Sequence, residues 1–227
     1  MLPFFAATAV ASLVCVGLMA ARRYELGSSG YPWLVWNLLL AWIPALLALL
    51  LFELAARGRS RFELLAVGAL WLLFLPNAPY VVTDFIYISP DHRYVDTAII
   101  GSFAATAVML GLGSLVLVQT VLTRARGAAV GWLVAAGALA GSGIGIYLGR
   151  VQRLNSWDVL TRPGQVWQLA VNRLGDPLGN RHLIVFVAGL IGFLTAAYLA
   201  IYALSLLTAA TRSEPSRTSD PRRAPRR

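Results

Sequence analysis

The chain alternates between long apolar blocks and short polar connections. The blocks follow neither the 3.6-residue period of a half-buried helix nor the alternation of a half-buried strand. Each block approaches the roughly 20 apolar residues that a helix needs to cross a bilayer. The pattern predicts an all-α, polytopic helical membrane protein with about six transmembrane helices, at residues 3–21, 31–52, 62 onward, 98–122, 128–148 and 183–207.

The third block ends in an unusual way, in the segment FLPNAPYVVTDF. From Phe62 to Leu75 a helix rises roughly 21 Å, at about 1.5 Å per residue, whereas the hydrocarbon core is about 30 Å thick. We therefore predict a third helix broken by Pro-Asn-Ala-Pro inside the membrane, with Asn77 satisfying part of the freed backbone. Two interpretations stay open: a proline kink with Asp84 in head-group water, or a discontinuous helix that lines a polar site.

The fifth block has a glycine at every fourth position. Such a stripe of small residues lets another backbone approach closely, because packing rather than hydrophobicity drives helix association in lipid. We expect tight packing within one chain rather than a homodimer face. The stripe consists of Gly137, Gly141, Gly145 and Gly149.

A polar cluster follows the glycine stripe directly. Arg150 and Arg153 are three residues apart and share a face if the helix continues. With Asn155, Trp157 and Asp158 they form either an internal ion pair, a site for an anionic group such as a lipid phosphate, or an ordinary interfacial cluster.

Two further segments complete the organisation. In the loop before the last span, apolar residues between Gln165 and Leu174 have near-helical spacing and predict a short interfacial helix. Residues 1–210 form the helical membrane domain. Residues 211–227 are rich in Arg, Pro and Ser, and we predict that this tail is disordered.

Composition supports a membrane protein and excludes several other classes. Hydrophobic residues make up 58% of the 227 residues and charged residues only 13%, too few to cover a soluble fold. The net charge of +9 is entirely due to arginine, and it lies in loops and in the tail. We therefore expect membrane lipid, including anionic head groups, and not nucleic acid, as the partner. With a single cysteine and two separated histidines, no metal and no cofactor are predicted.

The arginine count bears on the orientation, although without the six tail arginines it is five inside against eight outside. With both termini inside, eleven arginines lie on the inner side and eight on the outer side. We expect a multi-pass protein of the plasma (cytoplasmic) membrane with both termini in the cytoplasm.

Two motifs carry a family resemblance. The segments LFLPNAPYVVTDFIYI and GIGIYLGRVQRLNSWDVL resemble the DUF1361 family of small integral membrane proteins, over roughly residues 30–208. The resemblance implies the helical architecture and marks the two motifs. The family is named for an unknown function, so it implies no reaction.

Both motifs close an odd-numbered span and therefore end on the same membrane face. We expect their polar residues to converge there in one site: Asn77, Tyr80, Thr83, Asp84, Arg150, Arg153, Asn155, Trp157 and Asp158. The expected function is binding or translocation of a small solute near the outer face. One alternative is a membrane enzyme acting on a lipid or lipid-linked substrate, with the two carboxylates as general acid and base. The other is a non-catalytic accessory membrane protein.

Overall fold

The computed structural model describes residues 2–27, 30–151, 154, 156–174 and 181–213, and these residues form helices without any β-strand. Six helical segments are long and apolar enough to cross a membrane, which confirms the all-α polytopic prediction. Three elements, α3, α4 and a 3-10 segment, together make the third span. In chain order the elements are α1 (Leu2–Leu26), α2 (Pro32–Ala56), α3 (Arg61–Phe74), α4 (Asn77–Tyr80), the 3-10 segment (Val81–Tyr87), α5 (Arg93–Arg126), α6 (Ala128–Val151), α7 (Asp158–Thr161), α8 (Pro163–Leu174) and α9 (Arg181–Ser213).

Helix α5 forms the centre of the bundle. It contacts α1, α2, α4, the 3-10 segment, α6 and α9. Its large side chains Ile100, Phe103 and Leu110 are fully buried. Small residues allow neighbours to approach: a Cβ on Gly111 would lie 2.6 Å from the Cβ of Ala78 in α4. The interruption of the third span around Ala78 is therefore packed against protein.

The third span is interrupted after Phe74, as predicted. Leu75 and Pro76 keep right-handed helical dihedrals, so the axis continues while the hydrogen-bond pattern tightens. The amide of Ala78 bonds to the carbonyl of Leu75, three residues back, at 3.2 Å. Asn77 Nδ2 donates to the carbonyl oxygen of Phe74 at 3.0 Å. The side chain of Asn77 thus satisfies backbone that the prolines leave free.

The start of the third span is fixed by a capping box. Ser60 Oγ accepts a hydrogen bond from the amide of Glu63 at 3.3 Å, and a carboxylate oxygen of Glu63 accepts one from the amide of Ser60 at 3.0 Å. This reciprocal pair satisfies two of the free donors at the helix start.

The loop before the last span contains the predicted short helix, here α8. Its apolar side chains Trp167 and Val171 are 71% and 46% exposed, which suits a helix that lies on a membrane surface. Helix α9 continues to Ser213, three residues into the predicted tail. The remainder of that tail, residues 214–227, lies outside the described residues.

Candidate functional site

Asp84 and Arg150 form an ion pair where the two sequence motifs meet. Arg150, in the last turn of α6, places its Nη2 3.1 Å from Oδ1 of Asp84 in the 3-10 segment. Their side chains are 14% and 1% exposed. Asn37 of α2 donates from Nδ2 to the other carboxylate oxygen at 3.0 Å. Removing either charge would leave the other buried without its counter-charge.

The Arg150 guanidinium is held on several sides. Its Nη2 donates to the carbonyl oxygen of Thr83 at 2.5 Å, and its Nη1 donates to the Tyr80 hydroxyl at 3.3 Å. Its Cζ lies 5.4 Å from the centre of the Tyr80 ring and 4.8 Å from that of Tyr87. A planar guanidinium can stack on rings and donate in its plane at the same time, which a lysine cannot do. The end of α6 is thereby fastened to the 3-10 segment.

Two buried polar atoms of this ion pair make no hydrogen bond to any described residue. They are Oδ1 of Asp84, an acceptor, and Nε of Arg150, a donor. Oδ1 keeps its charge contact with Nη2, but not in hydrogen-bonding geometry. Leaving such a group unsatisfied costs about 1–3 kcal/mol, so buried polar groups in native proteins are nearly always satisfied by protein, water or ligand.

The two motifs also meet at a second point. Asn77 Nδ2 donates to Ser156 Oγ at 2.8 Å, joining α4 to the segment that follows α6. Below it, a Cβ on Gly145 would lie 2.8 Å from Pro76 Cγ. A Cβ on Gly149 would lie 3.2 Å from the Tyr80 ring. A Cβ at position 145 would force a shift, and one at position 149 would need the Tyr80 ring to move by a few tenths of an ångström, so both glycines allow α6 to approach the interrupted span closely.

Two adjoining cavities open at the ion pair. The smaller one, which we call the polar chamber, measures about 320 Å³ and is lined by Trp33, Asn37, Tyr80, Asp84, Tyr87 and Arg150. The larger one, which we call the groove, measures about 790 Å³ and shares Asn37, Tyr80, Tyr87 and Arg150 with the chamber. It continues along the glycine stripe of α6 past Leu40, Leu72 and Leu73, and it also borders Asn77 and Ser156. The site is thus polar at one end and apolar at the other.

The half of the predicted packing stripe that is farther from the ion pair faces this groove instead of a helix. No heavy atom of the described residues, beyond the helix's own backbone and adjacent residues, lies within 4 Å of a Cβ built on Gly137 or Gly141. The expected intrachain packing is therefore wrong for these two positions, although Gly145 and Gly149 do contact the third span. The stripe thus packs closely at Gly145 and Gly149 and borders open space at Gly137 and Gly141.

The other predicted site residues lie at the edge or beyond the described chain. Trp157 is 40% exposed. Asp158 begins α7 and is not among the residues that line the chamber or the groove, and its convergence with Asp84 stays a prediction. Arg153 and Asn155 lie outside the described residues.

A second buried ion pair lies at the same membrane face as the first. It differs from the first because protein groups satisfy both of its carboxylate oxygens. Arg22 Nε donates to Asp96 Oδ1 at 2.7 Å, and the side chains are 6% and 0% exposed. Oδ2 of Asp96 accepts from the Tyr31 hydroxyl at 2.6 Å and from the Ser89 amide at 3.2 Å. Burial, together with the hydrogen bond to Asp96, raises the pKa of Tyr31 above its ordinary value, so the hydroxyl stays a donor. Both oxygens of Asp96 are therefore satisfied by protein.

Tyr87 connects the two ion pairs. Its carbonyl oxygen lies 3.0 Å from the Tyr31 hydroxyl and shares the single proton of that group with Asp96, and its ring stacks on Arg150. The Asp96 cluster thus supports one wall of the polar chamber.

Sequence reasoning missed three of these residues. Asn37 is an amide inside an apolar block, a signal that it faces a polar partner. Arg22 and Asp96 end one span and begin another on the same face, a placement that would have allowed them to be paired. Arg22 was counted only for orientation.

The comparisons with known proteins agree with the two motifs. A family model described as "Protein of unknown function (DUF1361)" matches residues 36–197, more than half of the chain. No curated protein and no solved structure matches. The matched range includes both motifs, the lining of the groove and the lining of the chamber except Trp33, but not Arg22 or Tyr31. The chain is an integral membrane protein that belongs to the DUF1361 family, whose function is unknown.

Proposed function

We propose that this protein binds a small solute at the Asp84–Arg150 ion pair, on the outer face of the plasma membrane. The chamber and the groove each fall in the size range of ligand sites, about 300–1,000 Å³. They combine apolar walls with a few convergent polar groups, which is the usual composition of such sites.

One observation carries the proposal, and the second ion pair makes it specific. The oxygens of Asp96 are both hydrogen-bonded by protein, as a purely structural carboxylate requires. In contrast, Asp84 Oδ1 and Arg150 Nε lack such partners among the described residues, and both residues border a cavity. A bound group that both donates and accepts hydrogen bonds would satisfy the two atoms at once.

Binding is favoured over catalysis by the position of the carboxylates. General acid–base chemistry by two carboxylates needs both within reach of the reacting group. Asp84 borders the chamber and Asp158 borders neither cavity. Translocation of the solute would follow from binding and is measured separately, as flux into vesicles that contain the protein.

The test compares the Asp84–Arg150 ion pair with an exposed ion pair at the opposite membrane face. The protein is purified in mild detergent, and the small molecules that stay bound are identified by native mass spectrometry. We expect an adduct on the wild type and on Glu53→Gln, which alters an exposed ion pair at the opposite membrane face. The same adduct should be lost from Asp84→Asn, which removes the carboxylate that borders the chamber.

An equal adduct on wild type and Asp84→Asn would refute binding at this ion pair. A folded Asp84→Asn that differs from wild type only in stability would favour the accessory-protein alternative.

A further inference from the structure

We infer that the bound solute is a membrane phospholipid with a hydrogen-bond donor in its head group. One acyl chain lies in the groove along Gly137 and Gly141, and the head group lies at Asp84 and Arg150. This inference rests on the proposed function and names the class of ligand.

The groove is open to lipid along its side. Trp36 and Leu72, on opposite walls, are 56% and 47% exposed, so the space between α2, α3 and α6 is accessible from the bilayer. Its far part is lined by Leu40, Leu72 and Leu73 and by glycine backbone. An acyl chain that enters from the side matches these walls without any polar group being desolvated.

The length and direction of the groove fit one leaflet. Between Gly149 and Gly137, α6 rises about 18 Å at about 1.5 Å per residue, close to half of a hydrocarbon core about 30 Å thick. The polar end lies where the spans end, and the apolar end points to the middle of the membrane. A lipid in the outer leaflet has the same polarity along the same axis.

The two atoms that make no hydrogen bond to the described residues indicate the chemistry of the head group. Oδ1 of Asp84 needs a donor and Nε of Arg150 needs an acceptor. An ethanolamine head group supplies both, with its ammonium and its phosphate. A choline head group has the phosphate but no N–H, so it leaves Oδ1 unsatisfied. Because Arg150 is already paired with Asp84, an anion alone is a poorer match than a head group with charges of both signs.

The two unpacked glycines support an occupant. Glycine inside a helix costs about 0.5–1 kcal/mol relative to alanine. At Gly145 and Gly149 close packing offsets this cost, but at Gly137 and Gly141 the described residues offer none. A chain lying against bare backbone provides the missing contacts, and a large side chain at either position would occupy its place.

The experiment measures lipid binding to the full chain in detergent by native mass spectrometry. Dioleoyl phosphatidylethanolamine and dioleoyl phosphatidylcholine are titrated separately, and glycerophosphoethanolamine serves as the head group without chains. Gly141→Leu fills the groove, with Gly137→Leu as a second filling variant in case the first does not fold. Gly189→Leu is the matched control, because its Cβ position on α9 is equally open but lies outside the groove.

We expect phosphatidylethanolamine to bind wild type and Gly189→Leu alike. Binding should weaken by about tenfold or more, at least 1.4 kcal/mol, on Gly141→Leu, on Asp84→Asn and when choline replaces ethanolamine. The chainless head group should bind wild type and Gly141→Leu equally and lose affinity on Asp84→Asn.

The outcomes separate the two proposals. If both groove-filling variants bind phosphatidylethanolamine as wild type does, or if choline lipid binds equally well, the lipid inference is overturned. If binding of the chainless head group still depends on Asp84, the proposed function is nevertheless supported. If neither probe depends on Asp84, the proposed function fails as well.

Discussion

Two glycines on one helix stripe should respond in opposite ways to the same substitution. An alanine Cβ at position 145 would lie 2.8 Å from Cγ and 2.9 Å from Cβ of Pro76. These ring atoms cannot rotate away, so we assign the usual overpacking cost of about 1–3 kcal/mol. At position 141 an alanine Cβ meets nothing within 4 Å.

The helix itself gains from both substitutions. Alanine is favoured over glycine by up to about 1 kcal/mol, and by less where the helix persists in the unfolded state within detergent. The net expectation is a loss of about 0–3 kcal/mol for Gly145→Ala and a gain of about 0–1 kcal/mol for Gly141→Ala. The two variants should differ by about 1–3 kcal/mol in their free energy of unfolding. Because both gain the same helix propensity, its uncertainty cancels in this difference.

The assay is equilibrium unfolding in mixtures of mild detergent and dodecyl sulfate, followed by circular dichroism. Gly111→Ala extends the series, since its Cβ would lie 2.6 Å from that of Ala78, and it should be the least stable of the three. If Gly145→Ala proves as stable as Gly141→Ala, the close contact between α6 and the interrupted span is not rigid, and the reasoning about the stripe is refuted.

Three further predictions use the other cluster and the topology. Asp96→Asn should lose about 3–5 kcal/mol in the same unfolding assay, because it removes the anionic partner of the buried Arg22; a loss under about 1 kcal/mol would contradict this. The raised pKa of Tyr31 means that its contribution to stability is complete below the unfolded value of about 10 and is lost as the pH rises through the folded value. Stability should therefore fall in alkali, and less steeply in Tyr31→Phe; equal slopes would argue against it. Cysteines placed at Arg59 and Asp91, at opposite ends of the third span, should react with an impermeant maleimide from opposite sides, with position 59 reacting from the cytoplasm. Labelling of both from one side would overturn the third crossing.

The sequence predicted well the features that depend on the length of the apolar blocks and on whether a span is odd- or even-numbered. Six apolar blocks gave six spans, since crossing a bilayer needs a fixed rise. Two motifs that close odd-numbered spans had to reach the same face, and the contacts of Arg150 with Thr83 and of Asn77 with Ser156 lie there. Proline chemistry placed the interruption correctly after Phe74.

Contacts that depend on how helices rotate against each other were not predictable. α2 and α5 are apolar on nearly all sides, so no periodicity shows which face meets which neighbour. Asn37 could therefore be seen as unusual but could not be assigned to Asp84. For the same reason a regular glycine stripe could not reveal that Gly145 touches Pro76 whereas Gly141 faces open space.

The Asp96 cluster has a practical consequence for anyone who shortens the chain. The family-matched range starts at residue 36, after both Arg22 and Tyr31. A protein trimmed to that range would keep a fully buried carboxylate while losing the guanidinium and the phenol that satisfy it. Since the same phenol also holds the carbonyl of Tyr87, the damage would reach the ring that stacks on Arg150. The segment before residue 36 therefore supports the site: Arg22 of α1 and Tyr31 act from a distance, and Trp33 lines the chamber directly.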